Sequence, residues 1–322
     1  MPVSRRSCFA TALLSGLAAL ISSPRMAAAQ VCTATVSAVS FGNADVTAGA
    51  PTDTTAEVKV SCSGYAAGAE IIACPVLGAG SGGVSAGRRA MLPPSGTGTL
   101  AYELYSDGGR TQVWASFDAP QQSVVINAAG TGDSTATIFG RVFGGQSSVP
   151  VGSYSSVFTG VDVSVRYGLQ TGSETCSSTL TSTATASFPV TATVTPQCTL
   201  TTSDINFGSV GALANPLTAA GSVTVRCTPN AGYAISMDGG KSKSLDPTRR
   251  WMGGTTPQTG VSYGLYQNSE YSLPWGDTPG LTKAGTGSGS DQTFTVFGRT
   301  NGSTIAPPPG TYSDTVAVVL TY

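Results

Sequence analysis

Residues Thr183–Cys198 read TATASFPVTATVTPQC. Within them Phe188, Val190, Ala192 and Val194 alternate with Ser187, Pro189, Thr191 and Thr193. Successive side chains of an extended chain point to opposite faces, so one face of this run is apolar and the other mostly bears hydroxyls. A linker has no physical reason to hold an apolar face over that length. The run therefore reads as a strand with one buried side. It is either an ordinary last strand of the sequence before it, a packed linker, or a segment that closes the preceding domain.

The sequence on either side is duplicated. Cys32-TATVSAVSFGNADV aligns with Cys198-TLTTSDINFGSVGA, and VKVSCSGY at Cys62 with VTVRCTPNAGY at Cys227. AYELYSDGGRTQVW, ending at Trp114, answers SYGLYQNSEYSLPW, ending at Trp275, and TIFGRVFGG around Phe139 answers TVFGRTNGS around Phe297. VPVGSYSSVFTGVDVSVRY then answers PPPGTYSDTVAVVLTY, which ends at Tyr322. Shared composition does not produce so many blocks in one order. Each copy holds short period-two runs bounded by Gly, Ser, Asn and Pro. Val161, Val163, Val165 and Tyr167 share one strand face, as do Val316, Val318, Leu320 and Tyr322. Long helical periodicity is missing, so the expectation is an all-β chain with a β-sandwich in each copy. The division reads 1–29 leader, 30–182 first domain, 183–196 linker or donor-like strand, and 197–322 second domain.

The leader has the form of a secretory signal: Arg5 and Arg6, the apolar run FATALLSGLAALI, then small residues from Met26 to Ala29. Its apolar run is too short to span a bilayer, and no later stretch is long enough. Losing Arg5, Arg6 and Arg25 with the leader moves the formal charge from -1 to -4. Nothing in the chain clusters Lys and Arg as a nucleic-acid surface does. Of the seven cysteines, Cys8 falls in the leader, leaving Cys32, Cys62, Cys74, Cys176, Cys198 and Cys227. An even set in an exported chain favours disulfides, although many connectivities are open to it. The repeat makes Cys32–Cys62 and Cys198–Cys227 the natural pairs and leaves Cys74 with Cys176. These last two occur in the first copy alone and mark it as specialised.

There is no histidine. His-centred triads, ordinary zinc enzymes and most acid–base shuttles are thereby excluded. The carboxylates Glu103, Asp107, Asp118 and Asp133 sit at strand ends and turns, where Asx-type local bonding is the ordinary role. The glycine-rich stretches near Gly80 and Gly287 lack the lysine and the helix signal of a phosphate loop. The reading is a protein that is not an enzyme and needs no cofactor or metal.

Taken together, the blocks resemble the spore coat protein U domain family, which includes subunits of archaic chaperone–usher pili. The residues that carry the likeness in the first copy are Cys32, Phe41, Gly42, Cys62, Phe139, Gly140, Arg141, Gly152 and Tyr154. In the second they are Cys198, Phe207, Gly208, Cys227, Phe297, Gly298, Arg299, Gly310, Tyr312 and Tyr322. The first copy departs through its extra cysteines and the extra residues between Tyr154 and Tyr167.

The resemblance implies immunoglobulin-like, pilin-type sandwiches, the second of them lacking its last strand and completed by a strand from elsewhere. That is β-augmentation, with main-chain hydrogen bonds for affinity and alternate side chains in pockets. The implied partners are a periplasmic pilus chaperone, an outer-membrane usher and an adjacent pilin subunit that donates its strand. Phe188, Val190, Ala192 and Val194 are the donor-like face, with the first domain as acceptor in cis. Val316, Val318, Leu320 and Tyr322 form the last strand of the acceptor domain. Cleavage after Ala29 leaves Gln30 and Val31 before Cys32, a reach of at most ~7 Å, too short for a complementing strand. A subunit that receives but does not give ends a fibre.

The implied role is thus a tip adhesin on the cell surface of a Gram-negative bacterium, attaching it to abiotic or host surfaces and starting biofilm formation. Candidate adhesive loops are Gly42–Pro51, Met91–Gly98 with Leu92, Pro93 and Pro94, and Gly144–Val151 with Val149 and Pro150. Alternatives are a minor structural pilin or a spore-coat-like surface protein without adhesive function. A glycan platform on Trp114 competes with a structural role shared with Trp275.

Overall fold

The computed structural model describes residues 1–3, 29–115, 120–176, 180–305 and 307–322. Nearly all of the signal-peptide reading, and Asp118, lie outside the described residues. Among the described residues thirteen strands precede Thr195: β1 (Val31–Val36), β2 (Val39–Ala44), β3 (Thr52–Ser63), β4 (Glu70–Leu77), β5 (Val84–Ser85), β6 (Arg88–Met91), β7 (Leu100–Tyr105), β8 (Gln122–Val125), β9 (Thr131–Val142), β10 (Gly152–Phe158), β11 (Val163–Leu169), β12 (Ser182–Thr185) and β13 (Phe188–Val194). Eight follow: β14 (Cys198–Thr202), β15 (Thr218–Cys227), β16 (Gly232–Met237), β17 (Arg250–Gly253), β18 (Gly260–Tyr266), β19 (Lys283–Thr286), β20 (Gln292–Thr300) and β21 (Val318–Thr321).

The chain is all-β in two sandwiches. In the first, one sheet runs β1-β3-β9-β7-β6-β5, faced by β12-β11-β4-β8 and by a three-stranded sheet β10-β13-β2. In the second, β14-β15-β20-β18-β17 faces β19-β16-β21. The cause is visible in β3, where Ala56, Val58, Val60 and Cys62 are buried while Glu57 and Lys59 between them are exposed. Period-two patterning leaves such a strand only one way to face a core.

Among the described residues three disulfides staple the fold. Cys32 bonds Cys62 and Cys198 bonds Cys227, in both cases directly opposite in register, β1 on β3 and β14 on β15. Cys74 bonds Cys176 on the outer face of β4, in a small cluster with Ile72 and Leu180.

Trp114 and Trp275 hold equivalent places. Each is buried, and each indole N–H donates to a strand carbonyl, that of Pro75 at 2.9 Å and that of Ile235 at 3.0 Å. Beside each lies a buried guanidinium. Arg89 donates to the carbonyls of Leu77, Gly78 and Trp114, and Arg250 to those of Met237, Asp238 and Trp275. A buried charge is tolerable only when its donors are used. Arg89 adds an ion pair with Glu103, whereas Arg250 donates to the carbonyl of Pro247.

Candidate functional site

β13 enters the first sandwich from beyond β12 and lies between β10 and β2. It pairs antiparallel with β10 from Phe158↔Phe188 to Gly152↔Val194, and parallel with β2 from Val190↔Val39. Pro189, which lacks an N–H, falls one residue before the parallel pairing starts, so no bond to β2 is forfeited. Phe188, Val190, Ala192 and Val194 are all buried in the first core with Val39, Phe41, Tyr154 and Phe158.

The second sandwich repeats this wall without its middle strand. The counterpart of β2 is Ser203–Gly208, and that of β10 is Gly310–Val316. Among the described residues neither is paired into a sheet, and no strand lies between them. Ile205, Phe207, Val316, Val318 and Leu320 pack on the second core but stay only half-buried. Their counterparts in the first domain, Val39, Phe41, Phe158, Val163 and Val165, are buried. The groove between these two segments is otherwise built as in the first domain. Phe207 meets Tyr263 edge-on at 6.2 Å, as Phe41 meets Tyr102 at 6.2 Å. Gly298, like Gly140, has no room for a Cβ because the incoming Phe ring would lie 2.9 Å from it. That contact explains why Phe-Gly early in each copy goes with Phe-Gly-Arg late in it. β21 forms the far wall, with Val318 opposite Met237 and Leu320 opposite Ile235, while Tyr322 lies exposed just past its end.

Asp314 stands on the groove wall. Its carboxylate accepts the Tyr263 hydroxyl at 2.7 Å and the Lys241 amide at 2.8 Å. Burial first, and this carboxylate second, push the Tyr263 phenol far above its ordinary range. Three of the carboxylates singled out in the sequence are engaged structurally. Glu103 pairs with Arg89, Asp133 with Lys59, and Asp107 caps the amides of Thr111 and Gln112.

The three loops proposed as adhesive do converge. The carbonyls of Ala48, Gly49 and Ala50 crowd Gly144, and Gly98 abuts Pro150. Leu92 bridges to Ser155, and Val149 is buried. Their common end, however, is the one joined to the second domain. The Val151 amide donates to the Pro229 carbonyl at 3.0 Å, Val151 packs on the second core, and Gly289 has no room for a Cβ because of the Ser147 carbonyl. Leu92, Pro93, Pro94, Val149 and Pro150 therefore do not form the free end of the first domain. The reason is connectivity: β13 runs toward this end, and Cys198 follows within a few residues.

The opposite end carries the turns Gly64–Ala69 and Ile126–Gly130, tied by the Gly64 amide to the Gly130 carbonyl and the Gly68 amide to the Ile126 carbonyl. Ala66, Ala67, Ala128 and Ala129 are exposed there, with Val125 and Leu169 beside them. These turns are longer than their counterparts: eleven positions separate Cys62 from Ala73 but six separate Cys227 from Tyr233. Seventeen separate Gln122 from Phe139 and twelve separate Gly285 from Phe297.

The Spore Coat Protein U domain model matches residues 18–160 and again 184–319. The chain belongs to the Spore Coat Protein U domain family. The second match starts inside β12, so the linear repeat assigns to the second copy a strand that pairs in the first. No curated protein sequence matches the chain. Its fold is similar to a chain of the CsuC–CsuE chaperone–tip adhesion subunit pre-assembly complex from archaic chaperone-usher Csu pili of Acinetobacter baumannii, at 16% identity and a TM-score of 0.50, covering 91% of this chain and 100% of that one. It also matches the CupB6 tip adhesin from Pseudomonas aeruginosa at 11% identity and a TM-score of 0.38, over 90% of this chain and 94% of that one. This Spore Coat Protein U domain protein thus carries the domain twice, each copy folded as a β-sandwich. Among its described residues no helix is long and apolar enough to cross a membrane.

Proposed function

We propose that this protein is the tip adhesin of a chaperone–usher pilus. Its first domain is completed in cis by β13. Its second domain is docked to the fibre by a strand taken from the adjacent pilin, after a periplasmic chaperone has filled the same place and an outer-membrane usher has exchanged the two. The observation that carries the reading is the pair of unpaired segments, Ser203–Gly208 and Gly310–Val316, standing where the first domain has β2 and β10 around β13. Unpaired edges over half-buried apolar side chains are what a donated strand satisfies.

The adhesive work then falls to the free end of the first domain. Its lengthened turns place Ala66, Ala67, Ala128 and Ala129 outermost, a small-residue surface suited to close contact with abiotic or host material in biofilm formation.

The test deletes this protein while keeping the other pilus subunits. Fibres that assemble but no longer attach cells support the reading. Labelling of the protein along the whole shaft, or unchanged attachment, points instead to a structural pilin or coat-like surface protein.

A further inference from the structure

In the first domain Ser156 is paired with Val190 of β13, and both side chains are buried. Facing residues on neighbouring antiparallel strands bring their Cβ atoms to about 5 Å, so these two share one space inside the core. Ser156 also accepts the Gly82 amide at 3.2 Å, holding the turn after β4. Gly80 in that turn, with φ +71°, has no room for a Cβ beside the serine.

The second domain uses Asp314 at this place. It accepts the Lys241 amide from the matching turn, and Gly240, with φ +69°, lies too close to the carboxylate for any Cβ. The turn-holding task is therefore common to both copies, and serine suffices for it. The carboxylate belongs to the copy with the open groove. One of its oxygens takes Lys241 and Thr315, and the other takes Tyr263. The second oxygen, with one donor, retains acceptor capacity.

We infer that Asp314 selects the strand that fills this groove: the residue paired with it is small or carries a hydroxyl, such as Ser, Thr or Ala, and not a branched aliphatic like Val190. The inference rests on the acceptor reading proposed above. Insertion strips water from the carboxylate. An aliphatic opposite it leaves a charged oxygen against methyl groups, in space the larger Asp side chain already takes. A hydroxyl there donates a charge-assisted hydrogen bond.

The experiment appends a donor segment to the full chain after Tyr322, through a flexible linker as long as the stretch in sequence from Tyr167, the counterpart of Tyr322, to Phe188. The segment copies β13, with Val, Thr or Leu at the position of Val190, on the native and Asp314→Ser backgrounds. Calorimetry reads the unfolding midpoint of the second domain. On the native background the Thr segment is expected to exceed the Val segment by roughly 3–6 °C, and on Asp314→Ser that preference is lost or reversed. The same ranking on both backgrounds overturns the inference while leaving the acceptor reading intact. No stabilisation by any segment on either background overturns both. If Asp314→Ser does not fold, Asp314→Asn keeps the shape, removes the charge and carries the same comparison.

Discussion

Phe188 lies on Phe158 with ring centroids 4.6 Å apart and planes 15° from parallel. The contact joins the first residue of β13 to the last of β10 and seals one end of the first core. Phe188→Ala removes a fully buried ring where the surrounding sheets cannot collapse. The expected loss is ~3–5 kcal/mol, read as a lower midpoint for the first domain alone in urea or thermal unfolding. An equal fall in both domains would show that they unfold as one unit.

β13 as a whole is more consequential than any of its side chains. A first domain ending before Thr183 lacks the strand between β10 and β2 and should be aggregation-prone or unfolded. Extension through Thr195 should restore cooperative unfolding. A stable, soluble short form would remove the cis-completion reading.

Arg250 satisfies four backbone carbonyls, those of Met237, Asp238, Pro247 and Trp275. Arg250→Met deletes those donors and leaves the carbonyls of Met237 and Trp275 buried without them, so a loss of ~2–4 kcal/mol is expected, measured by denaturant midpoint. Glu103→Gln should cost less than Arg89→Met. The neutral variant keeps an acceptor beside Arg89, whereas removing the arginine strands both a carboxylate and several carbonyls.

Glu174 folds back on its own turn. Hydrogen bonds from the Thr171 hydroxyl first, then from nearby amides including Gly172, lower its carboxyl to about 2. A depressed carboxylate supports the fold above its unfolded value and loses that support as pH falls through the folded one. The turn leading to Cys176 should therefore keep its structure at neutral pH and loosen between about 4.5 and about 2. Carbon-detected titration of Glu174 checks this, with Glu174→Gln expected to abolish the transition. A midpoint near 4.5 would mean the turn is not formed in solution.

The sandwiches were legible in the sequence because the duplication and the period-two runs are local signals. β13 was legible for the same reason: Phe188, Val190, Ala192 and Val194 mark a buried face whatever covers it. The paired arginines were missed, although RRAM at 88–91 answers RRWM at 249–252 and would have named Arg89 and Arg250 as structural. A charged pair looks like solvated surface until the carbonyls around it are known. The end at which the candidate loops lie was not legible for a different reason. Their mutual contact and their nearness to Pro229 depend on which way β13 points, and no local pattern encodes a direction in space. The lengthened turns at the other end could have been found by comparing the spacing from Cys62 with that from Cys227.

Hydrogen exchange in the full chain compares two equivalent segments in one molecule and tests the central asymmetry most directly. Amides of residues 152–158, paired with β13, should be protected. Those of residues 310–316 should exchange orders of magnitude faster, and should become protected when a donated strand is supplied by the neighbouring pilin. Equal protection of both segments in the chain free of partners would mean that the second sandwich is already closed, and would contradict the account.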